Sequence, residues 1–238
     1  MMPRTSPPAS SGQVLITARD LAVGYGGNAV CGPASFTLRS GQALALVGVN
    51  GAGKSTLLRT CVGLLPLVEG EVTLLGRVPD SRSSRQRRAV ARDMGEESFF
   101  PTLTVAEHLA LVCYGHGVPD AERTTGDLLE EFNLAQLANA LPDELSSGQR
   151  RRLALAAVLA RPRRVLVMDE PEQRLDHVTR RALAHRVAAE RKAGVGVLMA
   201  CHDADFVRTA ATGVLLVGAA TRLLSVADGV RAMTEGEL

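Results

Sequence analysis

The chain changes its hydrophobic rhythm twice. In its first third, short apolar runs at 14–17, 21–25, 34–38, 43–47 and 71–75 read as strands, with turn signals at 24–27, 40–41 and 69–70. From about residue 83 to 161 the period lengthens. Apolar positions recur three and four apart over 105–114, 122–132 and 149–159, which predicts helices. Beyond 161, strand-like runs (165–168, 195–200, 214–217) alternate with helical ones (180–192, 204–210). Strands alternating with helices imply a parallel sheet covered by helices. The expected fold class is α/β: a β-rich front, an inserted helical segment over about 83–161 and an α/β end, without internal repeats.

Composition narrows this little. A chain of 238 residues suits one large domain or two small ones, and a 46% hydrophobic content supports a substantial core. Aromatics are only 3% and tryptophan is absent, so that core is built from Leu, Val and Ala. Residues 1–13 (MMPRTSPPASSGQ) are rich in Pro and Ser and read as a disordered tail rather than a signal peptide, which leaves 14–238 as the expected domain. The longest apolar runs, of about eight residues, fall short of the roughly twenty that span a membrane. The four cysteines, Cys31, Cys61, Cys113 and Cys201, form no C-x-x-C pair and are expected as reduced, mostly buried thiols.

A net charge of +2 gives no reason to expect a polyanionic partner beyond a nucleotide. The cluster Arg82, Arg85, Arg87, Arg88 and Arg92 has no interleaved aromatics and reads as a solvated face, so no nucleic acid is expected. Arg161, Arg163 and Arg164 close a helix where cations favour the negative end of its dipole.

The strongest chemical signal is Gly48-Val49-Asn50-Gly51-Ala52-Gly53-Lys54-Ser55-Thr56, which fits the G-x-x-x-x-G-K-[ST] phosphate loop. The run 43–47 before it is strand-like, and Leu57, Leu58, Val62 and Leu65 after it have helical spacing. Gly48, Gly51 and Gly53 allow tight turns that bring N–H groups close to a polyphosphate. The helix opening near Lys54 adds unpaired N–H groups and its dipole. Lys54 would reach the β- and γ-phosphates, and Ser55 would ligate Mg²⁺. A second signal is Val165-Leu166-Val167-Met168-Asp169-Glu170, a buried-strand pattern ending in two carboxylates. In a phosphate-loop protein, an Asp in this place holds Mg²⁺, and Glu170 is placed to orient or deprotonate the attacking water. A third is Leu145-Ser146-Ser147-Gly148-Gln149, which opens a helix with small residues, a hydroxyl and free N–H groups. Alone it is an ordinary serine cap. Beside a phosphate loop it is a second anion site, best used by a dimer in which one copy covers the other's ATP. His202 follows an apolar strand at its carboxyl end, where α/β sheets place their ligands. Alone it reads as structural; with the other motifs it reads as a γ-phosphate contact.

Together these residues resemble the ATP-binding cassette (ABC) family, specifically the nucleotide-binding subunit of an ABC transporter. The resemblance runs from about 14 to 225. It implies a P-loop NTPase core with an antiparallel β subdomain and an inserted helical subdomain, ATP and Mg²⁺ as ligands, and ATP hydrolysis coupled to transport. Gly48 to Thr56 and Asp169-Glu170 look like the family's two Walker motifs, 145–149 like its signature segment and His202 like its switch histidine. Tyr25 falls where the family stacks an aromatic on adenine, and Leu175-Asp176 resembles the loop that crosses the dimer interface. Phe99-Phe100-Pro101 and Leu103-Thr104-Val105 resemble the stretch after the loop that contacts the membrane subunit. The implied site is therefore Glu170, His202 and Lys54 for catalysis, with Tyr25, Gly48, Asn50, Gly51, Gly53, Ser55, Thr56, Ser146, Ser147, Gly148, Gln149 and Asp176 around ATP, and Ser55, Asp169 and Glu96 on Mg²⁺.

Three positions depart from the family pattern. Glu96 or Glu97, with Glu96 favoured, stands where the family has Gln. A carboxylate still ligates Mg²⁺ but cannot donate a hydrogen bond when ionised. Ser147 replaces a usual Gly, and Glu172-Gln173-Arg174 replaces small residues before the interface loop. The implied partners are a membrane-spanning permease subunit and a second ATPase subunit, identical or related, at the inner face of the cell membrane, with export favoured over import. The rival reading is a soluble ABC ATPase acting on ribosomes or DNA. Those usually carry two cassettes or a long coiled-coil arm, whereas here one cassette is present and only 92 residues separate Lys54 from Ser146. A P-loop small-molecule kinase has no use for 145–149.

Overall fold

The computed structural model describes residues 12–95 and 97–236. Its front is a four-stranded antiparallel sheet. Strand β1 (Val14–Tyr25) pairs with β2 (Asn28–Ala29), β3 (Ala34–Arg39) and later β5 (Leu67–Leu74). The two runs expected at 14–17 and 21–25 form one bulged strand. Asp20 adopts a left-handed φ of 45° between them, and its N–H and carboxylate both engage the Ser35 hydroxyl across the pair. The break expected at 69–70 is likewise inside a strand. Gly70, at φ 86°, lies so close to the Asp20 bulge that a Cβ there would stand 2.2 Å from the Asp20 carbonyl oxygen. A polar Gly-containing dipeptide here marks a bulge rather than a turn.

Strand β4 (Ala43–Val47) leads into helix α1 (Lys54–Cys61). After β5 come the short α2 (Ser84–Ala89) and β6 (Val90–Asp93), the latter unmarked in the apolar pattern because it is four residues long and polar at its end. The inserted helices follow: α3 (Val105–Gly115), α4 (Ala121–Glu131) and α5 (Ser147–Ala160). The chain then alternates through β7 (Val165–Asp169), α6 (His177–Lys192), β8 (Gly196–Ala200), α7 (Ala204–Ala210), β9 (Gly213–Leu216), β10 (Arg222–Leu224) and α8 (Val226–Glu235). The second sheet has the order β10-β9-β4-β8-β7-β6, parallel except for the edge strand β10.

Period-two alternation divides this sheet between two cores. Ala43, Ala45 and Val47 of β4 face the α3–α7 side, while Leu44 and Leu46 face α1 and the antiparallel sheet. Met168 and Val167, or Met199 and Leu198, separate in the same way. Side chains cap several of the helices. Thr104 and Glu107 cap each other at the start of α3, as Ser146 and Gln149 do for α5. At the far end of α5, Arg163 donates to the Val158 and Leu159 carbonyls and pairs with Glu190 at 2.9 Å, so the cation at the helix terminus is a structural clamp. All four cysteines are buried and free. Among the described residues, no helix is long and apolar enough to cross a membrane.

Gly70→Ala introduces both a strained φ and a backbone clash, and we expect it to cost about 1–3 kcal/mol. Urea unfolding would read this as a lower midpoint at unchanged slope.

Candidate active site

Three neighbouring strands, β4, β8 and β7, end at one edge of the parallel sheet. Their register sets Leu46 beside Ala200 and Ala200 beside Asp169. Their next residues therefore converge: Gly48 after β4, Cys201 and His202 after β8, Asp169 and Glu170 at the end of β7. Residues about 150 apart in the chain meet because parallel strands start and stop together.

The loop from Gly48 to Gly53 wraps the start of α1. A Cβ on Gly48 would stand 2.3 Å from the Val217 carbonyl oxygen, and one on Gly53, at φ 96°, would strike Val30. Only glycine lets the loop pass this close to its neighbours. Lys54 is 4% exposed, and its Nζ donates to the Gly48 and Val49 carbonyls at 2.9 Å each. Burial lowers its pKa, opposed by Glu170, Asp169 and Glu172. A cavity of about 230 Å³ is lined by Tyr25, Asn50, Gly51, Gly53, Lys54, Ser55, Thr56 and Glu170. Tyr25 is 54% exposed at its mouth, an apolar ring face available for stacking.

Ser55 donates its hydroxyl to Asp169 Oδ1 at 3.0 Å. Burial raises the Asp169 pKa, the Ser55 bond opposes this, and Glu170 adds to the rise. The adjacent Ser55 and Asp169 oxygens are hard donors of the kind Mg²⁺ takes. Among the described residues no group of three or more His, Cys, Asp or Glu could hold a metal. Such a site fits an ion that binds through one or two protein oxygens and completes its shell from substrate phosphates and water.

Glu170 adopts a left-handed φ of 50°, a strained conformation for a non-glycine residue. Several bonds hold it there. Its N–H donates to the Ala200 carbonyl at 3.0 Å, its Oε1 lies 3.1 Å from His202 Nε2, and Gln173 donates to its Oε2. The strain turns the carboxyl back toward the cavity that Lys54 lines.

Sequence reading missed the residue that fixes this turn. Arg151, on the third residue of α5 after Gly148, is 1% exposed. It forms a two-pronged pair with Asp93 at the end of β6, at 2.9 and 2.7 Å, and donates to the Glu170 carbonyl at 3.3 Å. Its signal was present: Arg151 falls on the stripe shared with Leu155 and Leu159, where a charge implies a buried partner.

Other expected residues lie apart. Ser146 and Gln149 bind each other across the cap, Ser146 N–H to Gln149 Oε1 at 2.7 Å and Gln149 N–H to Ser146 Oγ at 3.3 Å. Ser146, Ser147, Gly148 and Gln149 do not line the Lys54 cavity. Asp176 caps α6, its carboxylate accepting from the Thr179 N–H and hydroxyl, which lowers its pKa; it too stands outside that cavity. Arg174, one of the residues replacing the family's small ones before the interface loop, sits at φ 60° and pairs with Glu97 at 2.9 Å. Glu96, the favoured metal ligand of that region, lies outside the described residues.

This combination of loop, strand ends and capped helix agrees with comparisons to known proteins. A family profile described as ABC transporter matches residues 31–173. The chain belongs to this family. It is 38% identical to the cytochrome c biogenesis ATP-binding export protein CcmA of Cereibacter sphaeroides, over 79% of this chain and 82% of that protein. It is 30% identical to the SkfA peptide export ATP-binding protein SkfE of Bacillus subtilis, over 77% of each. It is 31% identical to the spermidine/putrescine import ATP-binding protein PotA of Roseobacter denitrificans, over 94% of this chain but only 58% of PotA's length. A solved ATP-binding subunit of an ABC transporter superposes with a TM-score of 0.81 at 25% identity, covering 93% of both chains. The ATP-binding cassette MJ0796, solved as a dimer with ADP and Pi, shares the fold at a TM-score of 0.77 and 20% identity, over 89% of this chain and 99% of that one. The chain is an ATP-binding subunit of the ABC transporter type and an ATPase.

Removing one partner of the buried pair leaves an uncompensated charge. We expect Arg151→Met to cost about 3–5 kcal/mol, and Arg151→Met with Asp93→Leu to recover most of it. Chemical denaturation of both variants checks this.

Proposed function

We propose that residues 14–238 form one ABC ATPase domain that powers a separate membrane-spanning permease at the inner face of the cell membrane, in the direction of export. Two such domains would sandwich two ATP molecules. The observation that carries this reading is the separation of the two anion sites. The Lys54 cavity and the helix start at Ser146, Ser147, Gly148 and Gln149 do not meet within one chain. In a head-to-tail pair, that segment and Asp176 of one copy would close over the ATP held by the other. The greater identity to CcmA than to PotA supports the choice of export over import.

In this reading Gly48, Asn50, Gly51, Gly53 and Thr56 place backbone and side-chain donors around the phosphates, and Tyr25 stacks on adenine. Lys54 exchanges its carbonyl partners for the β- and γ-phosphate oxygens. Ser55 and Asp169 would hold Mg²⁺, which would neutralise part of the phosphate charge when bound. Glu170 accepts a proton from, or orients, the water in line with the γ-phosphate, and His202 supports the charge that develops there. Phe100 is exposed beside His108 at the start of α3, and in this reading it would face the permease.

Glu170→Gln is expected to keep ATP affinity while losing most turnover; equilibrium nucleotide binding and phosphate release measured together check it. Wild-type turnover in that variant would remove Glu170 from its role. Tyr25→Ala is expected to weaken ATP binding by about five- to 150-fold, corresponding to about 1–3 kcal/mol of lost stacking. Purifying the tagged Glu170→Gln chain from its host with Mg-ATP in mild detergent tests the partner. A multispanning membrane protein is the expected companion; ribosomal or DNA-associated proteins alone would overturn the transport reading.

A further inference from the structure

The turn after β7 carries a second acid that the mechanism above does not use. Glu172 is 5% exposed, although it lies between Pro171 and the polar Gln173. Its Oε1 accepts the backbone N–H of His202 at 2.6 Å, while its other oxygen is buried without a hydrogen-bond partner. The Cys201 thiol lies beside it, and Lys54 and Glu170 are the charged groups it feels across the site. Burial pushes its pKa up, opposed by the His202 N–H. A carboxyl held this far from water carries a desolvation cost that a small residue would avoid.

The geometry gives that cost a purpose. Pairing of β7 with β8 ends at Asp169 and Ala200, and one further rung joins the Glu170 N–H to the Ala200 carbonyl. Beyond this rung the chain turns at Pro171, and the Glu170 carbonyl accepts from the Gln173 N–H and from Arg151 instead of the His202 N–H. The Glu172 side chain supplies His202 with its acceptor. It reaches two bonds further from its backbone than a Ser or Thr hydroxyl. The loop carrying His202 is thus stitched on both sides to the turn carrying Glu170, and His202 Nε2 stands 3.1 Å from Glu170 Oε1.

We propose that Glu172 is a positioning residue for His202, its side-chain oxygen clamping the switch loop to the Glu170 turn. This rests on the ATPase roles assigned above to Glu170 and His202. It acts through backbone position rather than by contact with ATP, so its loss lowers kcat and spares KM.

Steady-state ATPase assays of the full chain with Mg-ATP test it. Glu172→Met, of similar length but with no acceptor, is expected to lose about ten- to a hundredfold in kcat with KM for ATP within about twofold. Glu172→Gln retains an acceptor oxygen and is expected to recover kcat to within about fivefold of wild type. Glu172→Met combined with His202→Ala is expected to be no slower than His202→Ala alone, because both remove one unit. Full kcat in Glu172→Met, failure of Glu172→Gln to rescue, or losses that multiply in the double variant would each overturn the clamp. Should Glu172→Met fail to melt cooperatively, Glu172→Thr replaces it with the same expected outcomes. A slow His202→Ala beside a full-rate Glu172→Met removes the clamp alone. Wild-type turnover in His202→Ala removes the role of His202, and the clamp with it.

Discussion

The buried guanidinium of Arg151 is the constraint on which the site depends. It joins three parts of the chain through one side chain: the inserted helix α5, the end of β6 at Asp93 and the turn at Glu170. A planar fork matches a carboxylate in two places and still reaches a carbonyl, which an ammonium could not do with the same geometry. Because the pair is almost fully buried, either charge alone would be severely unfavourable. The helix that begins at Ser146 is therefore locked in register with the strand that ends at Asp169. Any shift of α5 is felt at Glu170, and any shift of the Glu170 turn is felt at the helix start.

The parallel sheet does the remaining work of assembly. Its register brings the ends of β4, β8 and β7 together, so that a basic loop, a histidine and two carboxylates share one edge. The electrostatics there are mutually dependent. Lys54 is desolvated but stabilised in its charged form by Glu170, Asp169 and Glu172. Asp169 is desolvated but supported by Ser55. The left-handed Glu170 is strained but held by hydrogen bonds with Ala200, His202, Gln173 and Arg151. A polyphosphate with its cation would enter a site whose charges are already opposed and whose backbone is already bent.

Two helix starts lie outside this edge of the sheet. The cap at Ser146 and Gln149 is satisfied within itself, and Asp176 is satisfied by Thr179. Both stand away from the Lys54 cavity. Their helix termini nevertheless present dipoles and small residues outward.

Much of this was legible in the chain. Phosphate loops depend on residue type at fixed spacing, so Gly48 to Thr56 declared itself locally, as did the apolar strand before Asp169 and Glu170. Helices α3, α4, α5 and α6 announced themselves through period and caps, within a few residues of their observed ends. Local signals failed where the deciding partner was distant. Gly70 looked like a turn because glycine usually ends a strand; opposite the Asp20 bulge it continues one. β6 carried too few residues for a pattern. The stripe of α5 hints that Arg151 is buried, but neither it nor Glu172 has its partner, Asp93 or the His202 backbone, nearby in the chain. The sequence by itself determined the kinds of elements and the chemistry of the nucleotide loop, because both follow from short-range sterics and residue type. Only the tertiary structure decided which charges are buried in pairs and which carboxyl faces the cavity, because burial and pairing depend on segments that meet only when the sheet is formed.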